Sequence, residues 1–169
     1  LRVSMELRNK ILMKLLENKT LKTILDLGCG DGYFTGDLKS KFPEAFVVGA
    51  DYYVRALRFA RIMTDDQPFV ANSAMSLGFK DESIDAAVLL DVIEHLSGKD
   101  RKNAMEQVVH SLKPKGLVIV SVPSTKLPLT RMHYDHFSPD GLKKFMQTFL
   151  SDVSVIGCCM HIPIVFGIT

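Results

Sequence analysis

The chain has little net charge of either sign: 21 basic residues against 19 acidic ones leave +2 over 169 residues. That balance leaves no broad electrostatic footprint for nucleic acid or an anionic membrane. Cysteine is scarce, three in all, with Cys29 inside a glycine-rich stretch and Cys158 beside Cys159. Such a set builds no disulfide framework, and reduced thiols in a cytoplasmic protein are the expectation. A secretory leader is not expected, because Arg2, Glu6, Arg8 and Lys10 break up the start of the chain. Formal charge is missing from Val153 to Thr169, yet that stretch is short for a membrane span. Its Gly157, Pro163 and β-branched residues suit two strands with a turn near His161–Pro163. Without repeats or linkers, and with 47% hydrophobic residues, residues 1–169 read as one globular domain with a real core.

Residues 24 to 35 read Ile-Leu-Asp-Leu-Gly-Cys-Gly-Asp-Gly-Tyr-Phe-Thr. An apolar strand ends in Asp26, glycines follow at 28, 30 and 32, and a helix begins. Glycines there let the backbone bend sharply and approach a ligand, and the helix start behind them offers N–H groups to an anionic group. A tight strand–helix connection would use the same glycines. Asp51, at the end of a second apolar strand over 45–50, is placed to accept hydrogen bonds from a ribose, or to cap the next helix. Asp26 adds a carboxylate suited to an ammonium group.

A dinucleotide fingerprint would need glycine at position 33, where Tyr33 stands. The spacing is instead D-x-G-x-G-x-G. Further on come Phe79-Lys-Asp-Glu-Ser-Ile-Asp85, Asp85-Ala-Ala-Val-Leu-Leu-Asp-Val-Ile-Glu-His95 and Ser111-Leu-Lys-Pro-Lys-Gly-Leu-Val-Ile-Val120. With these motifs in this order, the chain resembles the class I S-adenosylmethionine-dependent methyltransferases along nearly its whole length. The third stretch looks like that family's turn into its fifth strand.

Strand–helix alternation predicts a doubly wound α/β fold with a mostly parallel sheet. The resemblance implies seven strands, Rossmann-like, with a C-terminal antiparallel hairpin. Helices are expected over about 4–17, with Leu7, Ile11, Leu12, Leu15 and Leu16 on one side, and over 100–112, starting at Gly98 or Asp100. A third opens at Ser138-Pro139, with Ser138 as its N-cap.

By resemblance, S-adenosylmethionine is the cofactor. Asp26 and the backbone of Gly28, Cys29 and Gly30 would hold its methionine part, Asp51 its ribose, and Tyr52 would lie against its adenine. The stretch Asn72-Ser73-Ala74 replaces the family's usual acid with Ser73, leaving Asn72 or Ser73 to meet the adenine amino group. Asp91 completes the cofactor set. Catalytic candidates are Glu94, His95 and His136, with His133 and Asp135 nearby. No metal is expected, although Asp91, Glu94 and His95 with His133, Asp135 and His136 have spacings that could gather around a divalent ion. The connection from Pro123 to Phe137 is long for a strand–helix loop and reads as a lid, or as a packed acceptor wall. Methyl transfer to an O, N or C nucleophile of a small molecule is expected; a nucleic-acid or protein acceptor, or a non-catalytic S-adenosylmethionine-binding domain, is the alternative, and a homodimer is left open.

Overall fold

The computed structural model describes residues 2–64, 67–157 and 161–167, with the backbone alone for 2–4 and 161–167. Cys158 and Cys159 lie outside the described residues. In chain order the elements are α1 (Arg2–Leu16), β1 (Thr23–Leu27), α2 (Tyr33–Lys41), β2 (Phe46–Asp51), α3 (Val54–Met63), β3 (Phe69–Ala71) and β4 (Ile84–Leu90). A 3-10 turn (Ile93–His95) leads to α4 (Gly98–Ser111), β5 (Leu112–Pro123), α5 (Pro139–Met146), β6 (Asp152–Val155) and β7 (His161–Gly167).

The expected α/β architecture with a parallel sheet is what forms. Five strands run parallel in the order β3-β2-β1-β4-β5. On the far side of β5, β7 pairs antiparallel with it, and β6 antiparallel with β7. Chain order reverses between β1 and β4, which opens a crevice at their C-terminal ends, where ligands settle in open α/β sheets.

Both faces of this sheet are covered, so its strands are near-continuous apolar runs rather than alternating ones. Ile24, Val47, Ala86, Val88 and Ile119 face Leu12 and Leu16 of α1 and Phe34 and Leu38 of α2. Their neighbours in sequence, Leu25, Val48, Ala87, Leu89 and Val118, pack with Met105 and Val108 of α4 and Leu142 and Met146 of α5. The period of two sends successive side chains to opposite layers.

Three local expectations are corrected and two are met. On α1, Leu7 is exposed and Ile11 and Leu15 are half-buried, while Arg8, Leu12 and Leu16 form the buried line. Helix α4 starts at Gly98, one of the two expected positions, with Ser97 as its N-cap: the Ser97 hydroxyl accepts from the Asp100 N–H at 3.3 Å and donates to the Asp100 carboxylate at 2.6 Å. The expected turn before the fifth strand is a bulge within β5. There Ile84 pairs with Leu112 and Ala86 with Leu117, and Lys115 takes a left-handed φ of 64°. His161–Pro163 lie in β7 rather than in a turn. Pro163 opposes Ser121 beyond the last β6 pair, where β7 has β5 as its strand neighbour and a missing N–H is tolerated. Ser138 caps α5 as expected, accepting from the Gly141 N–H at 3.1 Å. Among the described residues, no helix is long and apolar enough to cross a membrane.

Gly49 of β2 lets the third layer close. A Cβ there would stand 2.5 Å from the Phe69 ring and 2.9 Å from Cys29 Sγ. Gly49→Ala should therefore lower the urea midpoint at unchanged slope, by about 1–3 kcal/mol of stability. Wild-type stability in that variant would show that Phe69 moves aside freely.

Candidate cofactor and acceptor site

The turn after β1 is built on left-handed backbone: φ is 77° at Gly28, 54° at Gly30 and 77° at Gly32. At Gly28 a Cβ would also meet Val92 Cγ2 at 2.4 Å. The turn's own amides are already paired within the protein. Gly28 and Cys29 donate to the Ala50 carbonyl at 2.7 and 3.1 Å, and Gly30 donates to the Asp51 carboxylate at 2.8 Å. The other Asp51 oxygen accepts from the Tyr53 N–H, also at 2.8 Å. Asp51 thus fastens the glycine turn to the start of α3, and its remaining lone pairs face the cleft it lines.

Asp26 is turned beneath the turn rather than toward the cleft. It is buried, accepts from the Thr35 hydroxyl at 2.6 Å, and is pushed up to about 6, by burial above all and then by Asp51. Cys29 packs against Leu57, Ala60 and Phe69, and burial drives its thiol far above the ordinary range, so it is no nucleophile.

The cleft at the strand ends has a volume of about 510 Å³. Gly28, Asp51, Tyr52, Asn72, Ser73, Ala74, Asp91 and His95 all line it, together with Val92 and Met132. Tyr52 is 72% exposed and stands edge-on to Tyr53, with ring centroids 5.6 Å apart. The Ser73 hydroxyl accepts from the Met75 N–H at 3.3 Å, whereas Asn72 Oδ1 is buried without a hydrogen-bond partner. Cys29 and Gly30 are not among the lining residues.

At the other end, Asp91 follows β4 in a left-handed conformation with φ 56°, its N–H donating to the Ser121 carbonyl at 2.9 Å. Its carboxylate pairs with the buried guanidinium of Arg8 at 2.5 Å. Glu94 is fully buried, and neither carboxylate oxygen has a hydrogen-bond partner. Burial first, and then Asp91, raise it to about 8. His95 lies at the cleft with its Nδ1 2.9 Å from the Met132 carbonyl. His133 stands edge-on to His95, centroids 4.7 Å apart, and its Nδ1 is 2.7 Å from His136 Nε2. Burial, with His95 and His136 beside it, holds His133 below the ordinary imidazole range. His136 is therefore one step behind His133, and His133 is the ring that meets His95 and Glu94.

The connection from Pro123 to Phe137 is tied down at several points. Phe137 donates its N–H to the Pro123 carbonyl and accepts at its own carbonyl from Thr125, and Tyr134 donates to the Glu94 carbonyl at 2.8 Å. Asp135 pairs with Arg101 at 2.8 Å, and that guanidinium lies 4.7 Å over the Phe137 ring. Leu129, Met132 and Tyr134 remain exposed. Arg8, paired with Asp91 beside the cleft, was not singled out from the sequence. Its place four residues before Leu12 on the buried line was the available signal.

A methyltransferase domain model matches residues 25–120, more than half of the chain. The chain belongs to the class I S-adenosylmethionine-dependent methyltransferases, whose methyl donor is S-adenosylmethionine. A tRNA (carboxymethyluridine(34)-5-O)-methyltransferase of Arabidopsis thaliana is 35% identical over 101 residues, 59% of this chain and 23% of that protein. A protein of Pyrococcus horikoshii shares the fold with a TM-score of 0.81 at 20% identity, covering 99% of this chain and 91% of that one. The 1,6-didemethyltoxoflavin-N1-methyltransferase of Burkholderia thailandensis, solved with its substrate and S-adenosylhomocysteine, gives 0.77 at 18% identity, covering 98% and 78%. The matched stretches span about a quarter to a half of the curated relatives' lengths, 23% in the Arabidopsis protein and 51% in a demethylmenaquinone methyltransferase of Lactococcus lactis.

The buried Asp26 carries a testable pH signature. Its folded pKa, about 6, lies above its ordinary 3.8, so the folded chain holds the proton more tightly and loses stability as pH rises from about 4 to 6. The loss is on the order of 3 kcal/mol. Asp26→Asn keeps an oxygen for the Thr35 hydroxyl and should remove that part of the pH dependence in urea titrations. An identical pH profile in wild type and variant would mean that Asp26 is ionised without penalty.

Proposed function

We propose that this chain transfers the methyl group of S-adenosylmethionine to an O, N or C nucleophile of a small-molecule acceptor, with residues 1–169 acting as one domain. One observation carries the reading. Among the described residues lining the cleft, Asp51 and the Arg8-paired Asp91 are the acidic ones, and there is no lysine or arginine. Such a lining suits a sulfonium donor with an ammonium group and opposes a phosphate backbone.

In this reading Asp51, held by two amides, accepts from the ribose hydroxyls, and Tyr52 covers the adenine. The unpartnered oxygen of Asn72 accepts from the adenine amino group in place of Ser73, and Ala74 lines the same end. The methionine lies on the turn of Gly28, Cys29 and Gly30. Their amides are committed to β2, so the turn's carbonyls are what an ammonium can use, and Asp26 acts from beneath through the turn. The methyl group then points past Asp91 toward Glu94 and His95. Transfer forms the bond from acceptor to methyl carbon while the carbon–sulfur bond breaks and its electron pair stays on sulfur. Alignment of the acceptor behind the methyl group supplies roughly 7–11 kcal/mol of the barrier. Where the acceptor carries a proton, the cluster of Glu94, His95 and His133, backed by His136, promotes its loss.

A second reading, methyl transfer to tRNA, is favoured by the name of the Arabidopsis relative. Isotope-labelled S-adenosylmethionine separates the two: label should enter compounds of a small-molecule panel, and label recovered in bulk tRNA would overturn the first reading. Asp51→Ala should weaken S-adenosylhomocysteine binding by about 1–3 kcal/mol in calorimetry. His95→Ala should lower kcat while leaving that binding within about twofold, the pattern of a contact made in the transition state. Equal loss of cofactor binding in His95→Ala would move His95 to the cofactor side.

A further inference from the structure

We propose that Glu94, His95 and His133 form a binding site for one divalent transition-metal ion at the acceptor end of the cleft. Each brings an atom able to ligate, and these atoms lie within 4.8 Å of one another. The hydrogen bonds around the two rings decide which nitrogens are free. His95 Nδ1 faces the Met132 carbonyl at 2.9 Å, and a carbonyl only accepts, so Nδ1 carries the proton and Nε2 keeps its lone pair. His136 Nδ1 likewise faces the Leu127 carbonyl at 3.1 Å, which leaves His136 Nε2 as an acceptor for His133 Nδ1 at 2.7 Å. His133 is thereby left with a free Nε2 lone pair as well. Outer N–H groups tied to carbonyls in this manner are how proteins orient imidazoles that bind metal.

Glu94 provides an independent observation. Its carboxylate is fully buried, in reach of both rings, and neither oxygen has a hydrogen-bond partner. A buried acid with no partner is costly, and a cation is the partner this arrangement lacks. Two imidazole nitrogens and one carboxylate oxygen suit an ion of the manganese-to-zinc series better than magnesium or calcium, which take oxygen ligands. With metal–ligand bonds of about 2.0–2.2 Å, the three atoms must draw in by about an ångström. His95 is exposed and His133 sits on the long connection, so ring rotation can do this. The remaining coordination positions stay open to water or an acceptor oxygen, whose proton the ion would make easier to lose. That last use rests on the methyltransferase reading; the binding itself does not.

The test is titration of chelator-stripped protein with Co²⁺, followed by its visible absorption, and with Zn²⁺ by calorimetry, without cofactor. One ion per chain is expected. His95→Ala and His133→Ala should each weaken binding at least about tenfold, and His136→Ala about tenfold by freeing the His133 ring. His110→Ala, on the outer face of α4, should leave it unchanged. S-adenosylhomocysteine binding in each variant checks the fold. Absence of Co²⁺ and Zn²⁺ binding at millimolar concentration would overturn the site, as would binding indifferent to both His95→Ala and His133→Ala. Ion binding in a chain that methylates nothing would leave the site standing and refute the proposed reaction instead.

Discussion

Four acids converge at the C-terminal ends of β1, β2 and β4, and the way each is answered organises the rest of this molecule. Asp26 raises its proton affinity and takes the Thr35 hydroxyl. Asp51 takes two backbone amides, and Asp91 takes Arg8. Glu94 is the acid that the described residues leave without a hydrogen bond. Arg8 eases two of the others as well, since its charge opposes the upward push on both Asp26 and Glu94. A helix before the first strand is thereby coupled to the cleft. Moving α1 would remove apolar cover from Leu12 and Leu16 and the counter-charge of three carboxylates together.

These constraints explain what could and could not be read from the residues. The glycine turn was legible because positive φ at three alternate positions leaves few residue types to choose from. The strands were legible because a sheet covered on both faces needs unbroken apolar runs. Gly28 and Asp51 were named from such signals, Tyr52, Asn72, Ser73, Ala74 and Asp91 from the family resemblance and His95 from its place past the fourth strand, and all of them line one cleft. The direction of Asp26 was not legible, since a strand buried on both sides gives no hint of which layer a polar side chain enters. Arg8 was hidden because a charged residue on a helix usually marks the solvent face. Its burial depends on Asp91, 83 residues further on, which no local pattern encodes.

The order of the histidines was hidden for a related reason. His133 and His136 lie on a connection without regular structure, where spacing fixes no direction. Their places come from distant partners: Glu94 takes the Tyr134 amide, Arg101 takes Asp135, and Leu127 takes His136. The same contacts bear on whether this segment is a lid or a wall. Its base is bonded across Pro123 and Phe137 and stacked beneath Arg101, while Leu129, Met132 and Tyr134 stay in solvent. Such a segment can shift at its tip without unbinding at its base, and the tip carries Met132, whose carbonyl orients His95.

That link joins the two ends of the proposed reaction. His95 is oriented by a loop that borders the acceptor space, and the turn that supports it begins two residues after Asp91. Asp91 is in turn held by Arg8. A change in the cofactor end that disturbed Asp91 would therefore be felt at Glu94 and His95 through the intervening Val92 and Ile93. Val92 also fills the space where Gly28 lacks a Cβ, so the glycine turn and the segment leading into the 3-10 turn are packed directly on each other. Methyl transfer needs donor and acceptor aligned within tenths of an ångström. A direct packing contact between the element that seats the donor and the element that meets the acceptor is a short route to that alignment, and a side chain at position 28 would break it.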